Sequence, residues 1–194
     1  MLDLISFLSF VFIMTFTPGP NNIMSMLNAG RYGIKKAIKF NLGIFLGFAI
    51  VMLLCAAFGA TLVKYLPSIK PYLIFVGATY ILYIAYKTLK SDYKVDNNQE
   101  KSVYGIKDGF VLQFVNPKVI LYGITTMSTF ILPHYSSFLI LMLFAIALAI
   151  VAFIATFSWA LFGSVFHKLL QKHTKAVNII LALFLVYTAV SLFF

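Results

Sequence analysis

Long apolar blocks separated by short polar stretches dominate the chain. Six blocks approach or exceed the roughly 20 residues that a membrane-spanning helix requires, and they cover about 4–27, 38–63, 71–89, 109–132, 137–163 and 175–194. The longest polar stretch runs from Lys87 to Lys107 and is centred on residues 96–100. The pattern predicts an all-α integral membrane protein: one membrane domain, 1–194, with a first half 1–90, a polar linker 91–107 and a second half 108–194.

Composition supports the bilayer as the solvent of this chain. The 194 residues are 62% hydrophobic and 10% charged, with a mean hydropathy of +0.98. The first block is not expected to be a cleaved signal peptide, because such peptides open with positive charge and Asp3 is the only charged side chain before Arg31. Cys55 is the single cysteine, so no intrachain disulfide can form, and we expect it to be a small buried hydrophobe.

The basic side chains are distributed unevenly among the five connections between blocks. Twelve of the 15 Lys and Arg residues lie in the first, third and fifth connections, two lie in the second, and none lies in the fourth. The positive-inside rule therefore predicts odd-numbered connections in the cytoplasm and both termini outside the cell. The net charge of +10 thus indicates topology and attraction to anionic lipid, and we expect no nucleic-acid partner.

Prolines interrupt the first and fourth blocks, where a continuous helix would lose backbone hydrogen bonds that lipid cannot replace. The fourth block contains Asn116, Pro117 and Lys118. The first contains Thr17, Pro18, Gly19, Pro20, Asn21 and Asn22. Each break opens a three-span half, and an odd number of spans makes the halves enter the membrane in opposite directions. The sequence predicts two inverted three-helix repeats, while six unrelated spans with two incidental kinks stay an alternative.

The breaks also predict a binding chemistry. Thr17 before Pro18, and Asn116 before Pro117, match an N-cap residue followed by proline at the first helical position. Both restarted helices would point their N-termini, with free N–H groups and partial positive charge, at the bilayer centre. Converging ends of this kind suit a carboxylate, as in transporters with broken helices.

Lys118 lies about ten residues into the fourth block, roughly 15 Å along a helix. Its charge would strengthen an anion site, although a lysine that snorkels or is tied to backbone carbonyls is the alternative. Asn21, Asn22 and Gln113 can supply amide groups to the unwound backbone. Asn41 can hydrogen-bond the broken first helix or lie near the cytoplasmic interface. No metal spacing links the histidines.

A resemblance to a known family rests on these residues. The motif at residues 17–21, the run Gly-Arg-Tyr-Gly-Ile-Lys-Lys-Ala at 30–37 and Asn-Leu-Gly at 41–43 with Gly47 resemble the first two spans of the lysine exporter (LysE/RhtB) family. Phe-Val-Asn-Pro-Lys at 114–118 resembles that family's fourth-span motif. The resemblance implies export of amino acids or their derivatives from the cytoplasm, with proton antiport in several members. The absence of an acidic residue deep in a block favours neutral amino acids.

The sequence and this resemblance together predict a secondary exporter in the cytoplasmic membrane, with a small amino acid as substrate and no cofactor or metal; the resemblance implies a proton as coupling ion. The substrate carboxylate would lie between residues 17–22 and 116–118, with Lys118 as counter-charge, and a homodimer would thicken the wall around the cavity. The alternatives are an enzyme acting on a lipid or isoprenoid, a channel, and a non-transporting scaffold. An enzyme is disfavoured because all five acids lie at block ends or in the linker: Asp3, Asp92, Asp96, Glu100 and Asp108.

Overall fold

The structure is a computed structural model that describes residues 2–90 and 104–193. Most of the predicted linker, 91–103, lies outside the described residues. Within the described ranges the secondary structure is helical, without a strand. The helices are α1 (Leu4–Phe16), α2 (Pro20–Tyr32), α3 (Ile34–Leu89), α4 (Ile106–Val115), α5 (Pro117–Thr125), a π-helix (Thr126–Ile131), α6 (Phe138–Val165), α7 (His167–Lys172) and α8 (Thr174–Ser191).

Four helical stretches in the described part of the chain are long and apolar enough to cross a membrane. They are Ile34–Gly59, Lys64–Leu89, Phe138–Val165 and Thr174–Ser191, and the bent pair α1–α2 makes a fifth. These five match five of the predicted blocks, which confirms an all-α membrane protein. The remaining block, 109–132, is divided among α4, α5 and the π-helix, each too short to span alone.

The long helix α3 folds back on itself. The ring of Tyr104 lies 6.0 Å from the ring of Phe40 and 6.0 Å from the ammonium of Lys87, although a straight helix from Phe40 to Lys87 would be about 70 Å long. The turn therefore lies between the two spans of α3, Ile34–Gly59 and Lys64–Leu89. The second span begins at Lys64, before the predicted third block, and Pro67 lies in its opening turns, where proline removes few hydrogen bonds.

Glycines bring two pairs of helices into backbone contact. A Cβ at Gly43 or Gly109 would collide with the backbone of Ile106 or Phe40 respectively, which shows how closely the first span of α3 packs on α4. A Cβ at Gly163 of α6 would collide in the same way with Met26 of α2. This small-residue packing is typical of membrane helices, and it fixes the positions of α2 and α4, which adjoin the two breaks.

Apolar side chains fill the interior and cover the outside. One buried cluster joins α1, the first span of α3, α5 and α6, and a second joins α2, both spans of α3, and α8. The outer faces expose large hydrophobic side chains such as Ile5 (81% exposed) and Phe138 (73% exposed). Such faces suit lipid as the surrounding solvent.

Candidate functional site

The first break separates α1 from α2, which are bent by 45° relative to each other. Gly19, in an extended conformation, is the N-cap of α2, and Pro20 is its first residue. The prediction that the helix restarts with Thr17 as cap and Pro18 at the first position was therefore wrong. Thr17 instead caps the end of α1, where its hydroxyl donates to the Ile13 carbonyl oxygen at 2.7 Å. Residues 17–19 turn the chain between α1 and α2. The helix therefore restarts at Pro20, whose fixed φ suits the first helical position.

The second break lies between α4 and α5 and has the predicted form. Asn116 is the N-cap, its side-chain oxygen accepts from the backbone N–H of Lys118 at 3.2 Å, and Pro117 is the first helical residue. Asn116 is 1% exposed, so its amide must find partners within the protein. The ring of Pro117 packs directly against Gly77 in the second span of α3.

Side chains from two elements, α2 and α6, satisfy the carbonyl groups that α1 leaves free at its end. The Asn22 amide donates to the carbonyl oxygens of Thr15 (2.8 Å) and Thr17 (2.9 Å). The indole N–H of Trp159 in α6 donates to the carbonyl oxygen of Phe16 at 3.1 Å. These carbonyl oxygens would otherwise lack hydrogen-bond donors inside the membrane. Nothing in the local sequence links Trp159 to Phe16, because the two residues are 143 positions apart.

An amide cluster joins the two breaks. Asn21 and Gln113 form a reciprocal pair, in which the Asn21 amide donates at 2.8 Å and the Gln113 amide donates back at 3.2 Å. The Asn116 amide donates to the same Asn21 oxygen at 3.2 Å. Gln113 is fully buried and also donates to the Gly109 carbonyl oxygen at 2.9 Å. The breaks, nearly 100 residues apart in sequence, are therefore neighbours in the fold.

Lys118 reaches from the second break to the first. Its ammonium donates to the Thr17 hydroxyl at 2.9 Å and to the Thr17 carbonyl oxygen at 3.3 Å. It lies over Gly19, where a Cβ would be only 3.2 Å from the lysine nitrogen. An ammonium group has three hydrogens, so one remains for a further acceptor. The predicted alternative, a lysine tied to backbone carbonyls, therefore describes part of its contacts.

A cavity of about 400 Å³, including its open mouth, lies between the breaks. Six of the predicted site residues line it, namely Gly19, Pro20, Asn21, Asn22, Asn116 and Lys118. Thr17, Pro18 and Pro117 belong to the breaks without being part of its wall. The predicted supporting residues lie behind the wall: Gln113 in the amide cluster, and Asn41 as acceptor for the Ser25 hydroxyl at 2.8 Å.

The other lining residues were not foreseen from the sequence. They are Met14, Thr15, Phe48, Val119, Tyr122, Ala152 and Thr156. They come from α1, α3, α5 and α6, and most resemble any residue of an apolar block. The wall is therefore mostly apolar, with its amides and its ammonium concentrated at the two breaks.

The acidic residues that the structure describes stand away from this cavity. The Asp108 carboxylate accepts from the Gly105 backbone N–H at 2.8 Å, so it caps α4 as expected. Asp3 caps α1, and hydrogen bonds from the Ser6 hydroxyl and backbone N–H lower the pKa of its carboxyl. Neither carboxylate lines the cavity, so the charge there is set by Lys118 and by the helix ends.

Comparisons with known proteins agree with this arrangement. The family model described as "LysE type translocator" matches residues 12–194. A protein of Salmonella choleraesuis named "Cysteine/O-acetylserine efflux protein" is 41% identical over 189 residues, which cover 97% of this chain and 96% of the relative. A protein of the same name from Escherichia coli is 38% identical over 189 residues, with the same coverage.

No solved structure matches the chain significantly. The family and the names of the relatives point to a transporter rather than an enzyme, and the apolar helices place it in the cell membrane as a multi-pass protein. Family match, near-complete coverage by relatives and the two proline breaks agree: the chain belongs to the lysine exporter (LysE/RhtB) family of translocators.

Proposed function

We propose that this protein is a secondary exporter of small neutral amino acids, which binds its substrate in the cavity between the two helix breaks. The observation that carries the proposal is the convergence of α2, α5 and Lys118 on that one cavity. The efflux of cysteine and O-acetylserine named for the relatives supports the substrate class. Both are small amino acids without a charged side chain.

The substrate carboxylate would bind at the N-terminal ends of α2 and α5. Pro20 and Asn116, which mark these ends, both line the cavity. The backbone N–H groups of a first helical turn lack intrahelical acceptors, and the helix dipole adds partial positive charge. Lys118 would supply the counter-charge through its remaining hydrogen. These three contributions favour an anion at one end of the cavity.

The rest of the cavity suits an uncharged side chain. Phe48, Val119 and Ala152 give it apolar walls, while Thr156 offers a hydroxyl. A cationic side chain would need a carboxylate partner in a site removed from water, and the described acids do not line the cavity. The substrate ammonium would instead lie toward the carbonyl end of α1, where the helix dipole is negative.

The two breaks support an inverted repeat of three spans plus three. In such a repeat the first span corresponds to the fourth, so α1 corresponds to α4 and α2 to α5. In both spans the second helix restarts with a proline at its first position, Pro20 in α2 and Pro117 in α5. We propose six spans, with α4, α5 and the π-helix forming the fourth.

This architecture would work by alternating access, with both termini outside the cell as the charge distribution predicts. Proton antiport is the coupling that the family resemblance suggests. A homodimer would give each thin three-plus-three bundle a second wall.

Counterflow in proteoliposomes tests the proposed function. Vesicles loaded with unlabelled cysteine under reducing conditions should transiently accumulate labelled cysteine from outside, because a carrier exchanges one molecule for another. A channel would equilibrate the label without overshoot, and a scaffold would not move it. Labelled lysine should give a much smaller overshoot than cysteine. Failure of exchange across a full panel of neutral amino acids, with correctly inserted protein, would refute the proposal.

A further inference from the structure

Polar side chains form a stripe along one face of α2. Asn21, Ser25 and Asn28 are spaced by four and three residues, which places them on one helix face. Each donates a hydrogen bond to another element: Asn21 to Gln113 of α4 at 2.8 Å, Ser25 to Asn41 of α3 at 2.8 Å, and Asn28 to the Tyr104 carbonyl oxygen at 3.0 Å.

The stripe leads from the cavity toward the end of α2 that we place in the cytoplasm. Asn21 lines the cavity, and Asn28 lies about 10 Å further along the helix at roughly 1.5 Å per residue. Beyond it, Arg31 lies in the last turn of α2 and belongs to the first basic connection. A chain of polar groups thus connects the cavity with the inner side of the membrane.

Two amides are buried here with unused hydrogen-bonding atoms: Asn28 of the stripe, and Asn41 of α3, which contacts the stripe at Ser25. Asn41 is 0% exposed and Asn28 is 1% exposed. The Asn41 amide nitrogen and the Asn28 amide oxygen have no hydrogen-bond partner among the described residues. Buried polar atoms in a permanent contact are almost always paired. A second arrangement of the same helices, in which water or substrate reaches these amides, gives them partners.

The packing of the surrounding helices suggests what would move. Gly163 fixes α6 against α2, and Gly43, Gly47 and Gly109 fix α4 against α3. The polar stripe lies where the first pair meets the second. A small cluster of Ala29, Ala37 and Ala160 closes the space beyond it. Hydrogen bonds between neutral groups can exchange for water with little net change, whereas interlocked backbones cannot separate as readily.

We propose that the cytoplasmic access path of the carrier runs along this stripe, between α2 and the α3–α4 pair, and that it is closed in this structure. Ser25, Asn28 and Asn41 form its gate, and their side chains line the path when it opens. The inference rests on the proposed function, because it assigns the inner branch of the same carrier's route.

Cysteine accessibility tests the gate. Ser25→Cys, in a Cys55→Ser background, is treated with a membrane-impermeant thiol reagent in inside-out vesicles, with and without saturating cytoplasmic-side O-methylserine (a thiol-free neutral amino acid). We expect modification that slows at least threefold with the amino acid, because a substrate in the path shields the thiol. Leu42→Cys is the matched control, since Leu42 follows Asn41 but is 41% exposed on the outer face. It should react slowly and without any effect of the amino acid.

A second variant tests the hydrogen bond itself. The probe here is Asn28→Cys, which keeps the Ser25 hydroxyl and also serves on the same stripe should Ser25→Cys fail to insert. Asn41→Leu removes the side-chain acceptor of Ser25 and should raise the modification rate of Asn28→Cys about three- to tenfold, the shift expected from losing one neutral hydrogen bond across the closed gate.

The outcomes separate the gate from the function. If wild-type counterflow is normal, the gate is overturned when the thiols never react or when the amino acid does not change their reaction rate. Absent wild-type counterflow would instead remove the proposed function on which the gate depends. Reaction of Ser25→Cys that is slowed by the amino acid, in a protein that exchanges amino acids, supports both.

Discussion

Replacing Lys118 by methionine separates the charge at the cavity from the length of the side chain that carries it. The wild-type ammonium contacts Thr17 and leaves one hydrogen toward the cavity. A charge-assisted hydrogen bond to a carboxylate contributes about 1.5–3 kcal/mol, so its loss should raise the substrate KM or Kd by about 10- to 100-fold. Insertion should be unharmed, since a charge near the bilayer centre costs about 3 kcal/mol on insertion scales.

Thr17→Val is the matched control for the structural role of Lys118, which is its contact with the first break. It removes the hydroxyl that accepts from Lys118 at 2.9 Å and keeps the ammonium and the Thr17 carbonyl. We expect its KM to stay within about fivefold of wild type, equivalent to about 1 kcal/mol, because the ammonium that would bind the substrate carboxylate is kept. Lys118→Arg should not restore normal affinity, because the planar guanidinium is wider than the ammonium and Gly19 lies directly beneath it.

The assay combines counterflow kinetics with thermal unfolding in detergent for all three variants. A methionine variant with wild-type KM would refute the role of the charge. Equal losses of affinity in Lys118→Met and Thr17→Val would show that the contact between the breaks, rather than the positive charge, controls binding. Loss of transport together with a collapsed melting temperature in Lys118→Met would support a purely structural lysine.

Three further predictions test the fold around the site. Asn116→Ala should destabilise the protein by about 1 kcal/mol through loss of the α5 cap, measured by thermal unfolding in detergent. Gly109→Leu should sharply reduce the level of folded protein in the membrane, because any Cβ there collides with α3, while Gly105→Ala, whose nearest neighbour would be 3.8 Å away, should be tolerated; equal levels would contradict the tight pairing. In a cysteine-free background, an impermeant thiol reagent added to intact cells should label Ser137→Cys and not Lys168→Cys, and the reverse pattern would overturn the topology.

The breaks could be located from the sequence because they depend on local chemistry. Proline inside an apolar block removes a backbone donor whatever the block packs against. The asparagine before Pro117 predicted the cap at residue 116 correctly. At the first break two prolines, Pro18 and Pro20, both fit a helix start. The choice between them depends on the contacts of Thr17, and its bond from Lys118, 101 residues away, comes from tertiary structure.

The walls of the cavity could not be predicted, because they are assembled from distant segments. The indole of Trp159 and the carbonyl of Phe16 are 143 residues apart, and no periodicity links them. Phe48 and Tyr122 occupy ordinary positions in apolar helices until packing places them beside the breaks.

Substrate binding and the contact between the two breaks use the same donor group. Lys118 donates to the Thr17 carbonyl at 3.3 Å, a long bond to a neutral acceptor. A carboxylate in the cavity is a stronger acceptor for an ammonium than a carbonyl oxygen. A substrate bound as proposed would therefore draw Lys118 away from Thr17 and loosen one link between the first and fourth spans. The amide pair of Asn21 and Gln113 would then hold more of that contact, at the point where the polar stripe of α2 begins. A carrier needs such a connection, because substrate binding at its centre must change the relative stability of its inward-facing and outward-facing states.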